Sequence, residues 1–143
     1  MQKIIVDSGP LIALFDSSDR EHARLKAFFA SCDAVVVTTW SVVTEVCHML
    51  SYSVNRQLAF LNWIQRGALE IADLPANAIA RIIELTEKYR DRPMDLADAS
   101  LVVLAMQTGI RDIISLDSDF DIYRLPDKGR LRNLLREPSM RDS

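Results

Sequence analysis

Four acidic residues stand in strongly apolar surroundings, and each is expected near the edge at which the predicted strands end. Asp7 directly follows "KIIV", and Asp117 follows "DIISL". Glu45 and Asp98 each lie one turn into a predicted helix, the first after the second strand and the second after "RPM". One such acid alone is more often a helix cap or an ion-pair partner. Because the loops that follow parallel strands converge on one edge of a sheet, we expect the four acids to form one site.

A cluster of four carboxylates is electrostatically unfavourable unless something offsets the repulsion. Two like charges about 4 Å apart repel by roughly 4 kcal/mol at an effective dielectric constant of about 20. Either some of the carboxyl groups are protonated, with raised pKa values, or a divalent cation lies among them. A ligand set made only of oxygen atoms favours Mg2+, with Mn2+ as a possible substitute.

The stretch "MDLADAS" carries two acids with different predicted roles. Asp95 stands where a helix N-cap belongs, so its side chain can accept the amide hydrogen of Asp98. Asp98 lies inside the first turn, where the positive end of the helix stabilises a carboxylate. We therefore expect Asp98 to be a metal ligand and Asp95 to have a structural or supporting role. In "LDSDFD", a turn that caps its own backbone explains Asp121, and the role of Asp119 stays open.

Other chemistries fit the sequence less well. "LDSD" resembles the DxD motif of haloacid-dehalogenase phosphatases, but only 26 residues follow Asp117, too few for the rest of such a domain. Glu45 and His48 form one E-x-x-H, whereas di-iron bundles need two such motifs. His48 is then a neighbour of the site or a packed residue. Phosphate-binding glycine motifs and a Ser/His/Asp arrangement are absent from the sequence.

Strand and helix patterns alternate along the chain. Short β-branched runs predict strands at 3–6, 34–39, 69–72 and 112–115, and the first is read as a strand followed by a turn. Apolar spacing predicts helices at 18–31, 41–52, 55–67, 75–92 and 95–109. Ser18 is the predicted cap of the first helix, and Gly67 and Gly109 end two others. The 75–92 helix is expected to face inward with Ile79, Ile82, Ile83 and Leu85. This alternation predicts an α/β protein with a mainly parallel sheet covered on both faces.

Composition indicates a folded cytoplasmic protein. The chain has 143 residues, 49% of them hydrophobic, with 4 Gly and 5 Pro. Cys32 and Cys47 form neither a zinc motif nor a disulfide framework. The N-terminus lacks the pattern of a signal peptide, and no apolar run is long enough to cross a membrane. We expect one domain over residues 1–137 and a frayed tail at 138–143.

The charge distribution indicates nucleic-acid binding only weakly. The net charge of −3 argues against a surface devoted to general nucleic-acid binding. A local basic stripe could still meet phosphates, although a solvated tail with scattered ion pairs explains it equally well. Its members are Arg124, Lys128, Arg130, Arg132 and Arg136.

Four segments, in order and spacing, resemble the four acidic motifs of PIN-domain nucleases, with the closest likeness to VapC-type toxins of bacterial toxin-antitoxin pairs. They are "IIVDSGPLIAL", "VVTEV", "MDLADASLVVLA" and "IISLDSDF", and the likeness extends through "DSDFDIYR" to about residue 136. Ser115 stands where many members of this family have Thr, and Ser keeps the hydroxyl group at that position. The resemblance implies a three-layer α/β/α sandwich with a parallel sheet of four or five strands.

The resemblance also implies an activity and a set of roles. Carried over by position, the catalytic acids are Asp7, Glu45, Asp98 and Asp117. The implied reaction is Mg2+-dependent hydrolysis of RNA, with Asp7 and Asp98 as direct metal ligands and Glu45 and Asp117 orienting water or a second metal. The implied partners are RNA, an antitoxin protein and a second copy of the chain.

Two other classes of function stay open on the sequence alone. A non-catalytic RNA-binding or protein-binding module could retain the acids as caps. A phosphoacceptor receiver domain shares carboxylates at strand ends, but it needs a Lys directly after the "DIIS" strand, and Lys128 is too far along the chain.

Overall fold

The computed structural model describes residues 2–136, which form a five-stranded sheet and six α-helices. The strands are β1 (Lys3–Val6), β2 (Val35–Thr39), β3 (Glu70–Ala72), β4 (Asp112–Ile114) and β5 (Arg132–Asn133). The helices are α1 (Ser8–Phe15), α2 (His22–Ala30), α3 (Trp40–Met49), α4 (Val54–Gln65), α5 (Ala78–Lys88) and α6 (Leu96–Thr108). A short 3-10 helix covers Ser118–Asp121. The predicted frayed tail, 138–143, lies outside the described residues.

All five strands are parallel and lie in the order β3-β2-β1-β4-β5. The chain moves from β1 towards β3 and then crosses back to β4, so right-handed connections place helices on both faces of the sheet. This arrangement confirms the predicted three-layer α/β/α sandwich. The reversal between β1 and β4 also brings the ends of these two central strands side by side, with Val6 paired to Ile114.

The core lies between the sheet and its helices. The central strands are buried on both faces, which explains their continuous β-branched runs. Helix α6 is buried from Ala97 to Ala105 and contacts α3, α5 and β2. A helix apolar on every side must be enclosed by the fold. Because α6 is fixed on several sides, its N-terminal turn is held rigidly at the edge of the sheet.

Two predicted helix boundaries of α6 are confirmed in detail. The side chain of Asp95 accepts the amide hydrogen of Asp98 at 2.7 Å, as an N-cap does. Gly109 follows the last turn with φ of 80°, the left-handed conformation that glycine adopts without strain.

Two predictions near the N-terminus are wrong. Residues 8–15 form α1 instead of a turn, because the carboxylate of Asp7 accepts the amide hydrogen of Ser8 and Pro10 is tolerated in a first turn. Ser18 does not cap α2, which begins four residues later. The amide and hydroxyl of Ser18 instead donate to the carboxylate of Asp16 within a turn.

The predicted inward face of α5 is only partly correct. Leu85 is buried and Ile82 is half-buried, but Ile79 and Ile83 are 57% and 61% exposed. Helix α5 packs mainly on α6, so one narrow stripe suffices for contact and the neighbouring isoleucines face outward. Within residues 2–136 no helix has both the length and the apolar character needed to cross a membrane.

Candidate metal site at the carboxyl edge of the sheet

Asp7 lies at the junction of β1 and α1 and is held from three directions. Its amide donates to the carbonyl of Ile114 on the neighbouring strand at 3.1 Å. Its two carboxylate oxygens accept hydrogen bonds from the amide of Ser8 at 2.7 Å and from the hydroxyl of Ser115 at 3.0 Å. The residue is 5% exposed, so its carboxylate has a fixed position in the wall of the site.

Asp98 approaches the same edge from the first turn of α6 and is 8% exposed. Its Oδ2 atom accepts a hydrogen bond from the hydroxyl of Tyr123 at 3.1 Å. Tyr123 is itself fixed by edge-to-face contacts with Tyr89 and Phe120, whose ring centroids lie 5.1 and 5.3 Å away. A rigid aromatic cluster therefore orients the Asp98 carboxylate.

Burial and mutual repulsion raise the pKa values of these two carboxyl groups. Desolvation raises the pKa of Asp7 to about 6 against the hydrogen bonds of Ser8 and Ser115, and the charges of Glu45 and Asp117 add to it. Desolvation and then the charge of Asp7 raise the pKa of Asp98 to about 8. A site that disfavours its own negative charge in this way is suited to a cation.

Glu45 and Asp117 flank the buried pair from two open clefts. Asp117 lines a cleft of about 460 Å3 together with Asp7, and its Oδ1 atom accepts the amide hydrogen of Asp119 at 2.9 Å. Glu45 is half-buried on α3 and lines a second cleft, of about 520 Å3, with His48 and Asp95. All four predicted acids therefore lie at one edge of the sheet. Asp7 is close enough to the other three for electrostatic interactions with each of them.

Asp95 and Asp119 have defined structural contacts. Asp95 is exposed and caps α6, as predicted. Asp119 lies in the 3-10 helix, and its Oδ1 atom contacts Arg92 at 3.2 Å. This ion pair joins the segment after β4 to the segment that enters α6.

The sequence interpretation missed two residues that hold the site together. Tyr123 lies in "DSDFDIYR", and that segment is the sequence signal that could have indicated it. Asn133 gave no signal, because it belongs to the two-residue strand β5. Its amide group donates to the carbonyl of Ser115 at 2.9 Å and accepts from the amide of Ser115 at 3.3 Å. It therefore fixes the residue whose hydroxyl holds Asp7.

The donor set fits a hydrated magnesium ion better than an enclosed metal cage. Within residues 2–136 no three His, Cys, Asp or Glu side chains come together as a ready ligand set. Mg2+ is commonly bound through one or two carboxylates and keeps several waters. The oxygens of Asp7 and Asp98 that accept hydrogen bonds retain lone pairs for a cation, so the two residues are compatible with such a site.

The predicted basic stripe is largely engaged within the protein. Arg132 and Arg136 form ion pairs with Asp112 and Asp121 at 2.9 and 3.1 Å. One guanidinium nitrogen of Arg124 donates to three carbonyls, those of residues 121–123. The structure thus favours the interpretation of these cations as ion-pair and capping groups.

The fold and site together define a class: a parallel α/β/α protein with carboxylates gathered at the edge where β1 and β4 end. A sequence model described as the PIN domain matches residues 4–125. Ribonuclease VapC26 of Mycobacterium tuberculosis is 34% identical over 117 residues, which cover 80% of this chain and 86% of that protein. The chain belongs to the PIN domain family.

Solved structures of low sequence identity share the fold. The crystal structure of Mycobacterium tuberculosis VapC20, described as a sarcin-ricin loop cleaving toxin, has a TM-score of 0.76 at 21% identity and covers 83% of this chain and 93% of its own. VapBC2 of Rickettsia felis, bound to promoter DNA, has a TM-score of 0.65 at 15% identity, with 92% and 98% covered. A toxin-antitoxin complex of Klebsiella pneumoniae has a TM-score of 0.59 at 17% identity, with 92% and 99% covered.

Proposed function

We propose that this protein is a Mg2+-dependent endoribonuclease, the toxin of a type II toxin-antitoxin pair, acting in the cytoplasm as one nuclease domain over residues 1–137. The observation that carries the proposal is the buried pair of Asp7 and Asp98, each oriented by a hydroxyl group at the carboxyl edge of the sheet. The 34% identity to a protein named as a ribonuclease supports the substrate class.

Asp7 and Asp98 are the proposed metal ligands. A bound Mg2+ would neutralise a phosphodiester oxygen and lower the pKa of a water molecule. Ser115 and Tyr123 hold the two carboxylates in place. The buried environment makes these carboxylates poor anions without a cation, so binding of the ion and ionisation of the pair are coupled.

Glu45 and Asp117 are the proposed groups that orient the attacking water or a second ion. Both are more accessible than the central pair and line open clefts at the edge of the sheet. Accessible carboxylates exchange protons readily with solvent, whereas buried ones are better suited to fixed coordination. The difference in role between these two acids and the central pair follows from this difference in burial.

An antitoxin protein is the proposed partner of an exposed apolar surface at the end of α3 and on α4. Of the apolar residues at 60–64, Phe60 is buried, Trp63 and Ile64 are half-buried and only Leu61 is exposed. Leu61 extends a series of exposed apolar side chains, which is typical of a surface that a partner covers. Its other members are Met49, Tyr52, Val54 and Leu58.

We also propose that the protein forms a homodimer, which sedimentation velocity would detect.

Cleavage of RNA by pure protein tests the proposed activity. Wild-type protein should cleave single-stranded RNA with Mg2+ or Mn2+ and stop when EDTA is added. Asp7→Asn and Asp98→Asn should each lower the rate by at least about a hundredfold with the fold retained. Asp33→Asn is the matched control, because Asp33 is exposed and precedes β2 at the opposite edge of the sheet.

Two results would contradict the proposed activity. Cleavage that persists in both Asp7→Asn and Asp98→Asn would reject the site. A wild-type protein that binds RNA but does not cleave it with any divalent ion would favour the non-catalytic module.

A further inference from the structure

Helix α3 begins with an exposed tryptophan at the same edge of the sheet as the acids. The side chain of Trp40 is 58% exposed, although tryptophan is usually well covered in folded proteins. Its position follows from the sheet register. Thr39 and Ala72 are paired at the ends of β2 and β3, so the residues after them, Trp40 and Asp73, emerge side by side.

The indole ring is held in place and not merely exposed. Its Nε1–H group donates to Oδ1 of Asp73 at 3.2 Å. The hydroxyl of Thr44 donates to the backbone carbonyl of Trp40 at 2.9 Å, a bond within the first turn of α3. An aromatic ring fixed at its polar edge and open to solvent is preorganised for a flat ligand.

Trp40 lies on the same helix face as two residues that line the cleft of Glu45. Thr44 and His48 follow Trp40 at intervals of four residues, so all three lie on one face of α3. Thr44, His48 and Glu45 line this cleft from α3, and the 58% exposed side chain of Leu96 lines it from the start of α6. The exposed face is thus continuous with the proposed catalytic edge.

We propose that Trp40 is a stacking platform for an unpaired base of single-stranded RNA, with Thr44 and His48 contacting the adjoining backbone. This inference rests on the proposed ribonuclease activity. Bases of single strands stack on aromatic side chains, whereas bases within a duplex already stack on each other. The polar members of the face favour RNA over a protein partner, because the imidazole of His48 can donate to phosphate oxygens. The Thr44 hydroxyl, whose hydrogen goes to the carbonyl of Trp40, can accept from a 2′-hydroxyl group.

Steady-state cleavage of a random-sequence RNA pool, about 12 nucleotides long, tests the platform. Trp40→Ala should raise the apparent KM about tenfold, while kcat stays within about a factor of two, because stacking binds ground state and transition state alike. Trp40→Phe should retain most of the affinity. Ile83→Ala is the matched control, because Ile83 is equally exposed but lies on α5.

Fluorescence gives a second readout that does not depend on turnover. The chain has two tryptophans, and Trp63 is half-buried against Phe15 and Phe29. In a Trp63→Phe protein, the emission of Trp40 should be quenched on mixing with the same single-stranded pool, and much less with the pool annealed to its complement. This measurement keeps the proposal testable if Trp40→Ala folds poorly.

The possible results distinguish a failure of the stacking platform from a failure of the ribonuclease activity. A Trp40→Ala protein with wild-type KM, or Trp40 emission that RNA does not change, overturns the platform and leaves the ribonuclease standing. Loss of self-association in Trp40→Ala, measured by sedimentation, assigns this face to a protein interface and also overturns it. A wild-type protein that neither binds nor cleaves the pool overturns the ribonuclease and the platform together.

Discussion

The hydroxyl of Tyr123 donates a 3.1 Å hydrogen bond to Oδ2 of Asp98, a carboxylate that is 8% exposed. The two residues are 25 positions apart, and the bond joins α6 to the segment after the 3-10 helix. Tyr123 is buried, and its own pKa is raised by desolvation and then by the charge of Asp98. It therefore remains a donor, and the Asp98 carboxylate is oriented as well as buried.

Tyr123→Phe should shift the pH dependence of cleavage. The hydrogen bond from Tyr123 lowers the pKa of Asp98, so its removal should raise that pKa and weaken metal binding near neutral pH. We expect kcat/KM at pH 7 to fall about tenfold and the rising limb of its pH profile to move to higher pH. Profiles of wild type and variant that superimpose would contradict this role for Tyr123.

Ser115 should be replaceable by Thr but not by Ala. Its hydroxyl donates to Asp7 and accepts the amide hydrogen of Asp117, both at 3.0 Å. Ser115→Ala should weaken Mg2+ binding about tenfold to a hundredfold, whereas Ser115→Thr should stay close to wild type. Calorimetric titration of both variants makes the comparison. Equal affinities for Ala and Thr would show that the hydroxyl has no part in holding Asp7.

Asp98→Asn should stabilise the metal-free protein in alkaline solution. The pKa of Asp98 is raised from 3.8 to about 8, so the protonated group contributes stability that is complete at low pH and is lost as pH rises through about 8. Asn does not ionise and should avoid that loss. In thermal unfolding with EDTA, Tm of the variant should exceed that of wild type near pH 9 and approach it near pH 5. A variant less stable at both pH values would contradict the raised pKa of Asp98.

Asp95 should behave as a helix cap. Asp95→Ala removes the acceptor for the amide of Asp98 and should lower the free energy of unfolding by about 1 kcal/mol. Asp95→Ser should restore most of that stability. Urea unfolding of the three proteins measures the difference. If instead Asp95→Ser abolishes Mg2+ binding with stability intact, Asp95 is itself a ligand.

The central elements could be predicted from sequence because local patterns determine them. The runs before Asp7 and around Val36 have the continuous apolar character of buried parallel strands, and both are strands. The acids that follow such strands are brought to one edge by the parallel topology. The positions of Asp7, Glu45 and Asp117 could therefore be inferred from these strands, whereas Asp98 lies on α6, which follows α5 and not a strand.

Other features depend on contacts that no local pattern carries. Strand β5 has two residues, too few for any periodicity. Asn133 supports Ser115 only because β5 pairs with β4. The isoleucines of α5 follow a helical period, but sequence does not reveal that α5 contacts few neighbours, and so Ile79 and Ile83 were wrongly predicted to face inward.

Calorimetric titration of metal-free protein with Mg2+ measures directly whether Asp7 and Asp98 hold a divalent ion. We expect binding at millimolar concentration or tighter in wild type and in Asp33→Asn, and no detectable binding in Asp7→Asn or Asp98→Asn. Absence of divalent-ion binding in the wild-type protein, or unchanged binding in both variants, would contradict the claim that Asp7 and Asp98 hold the metal.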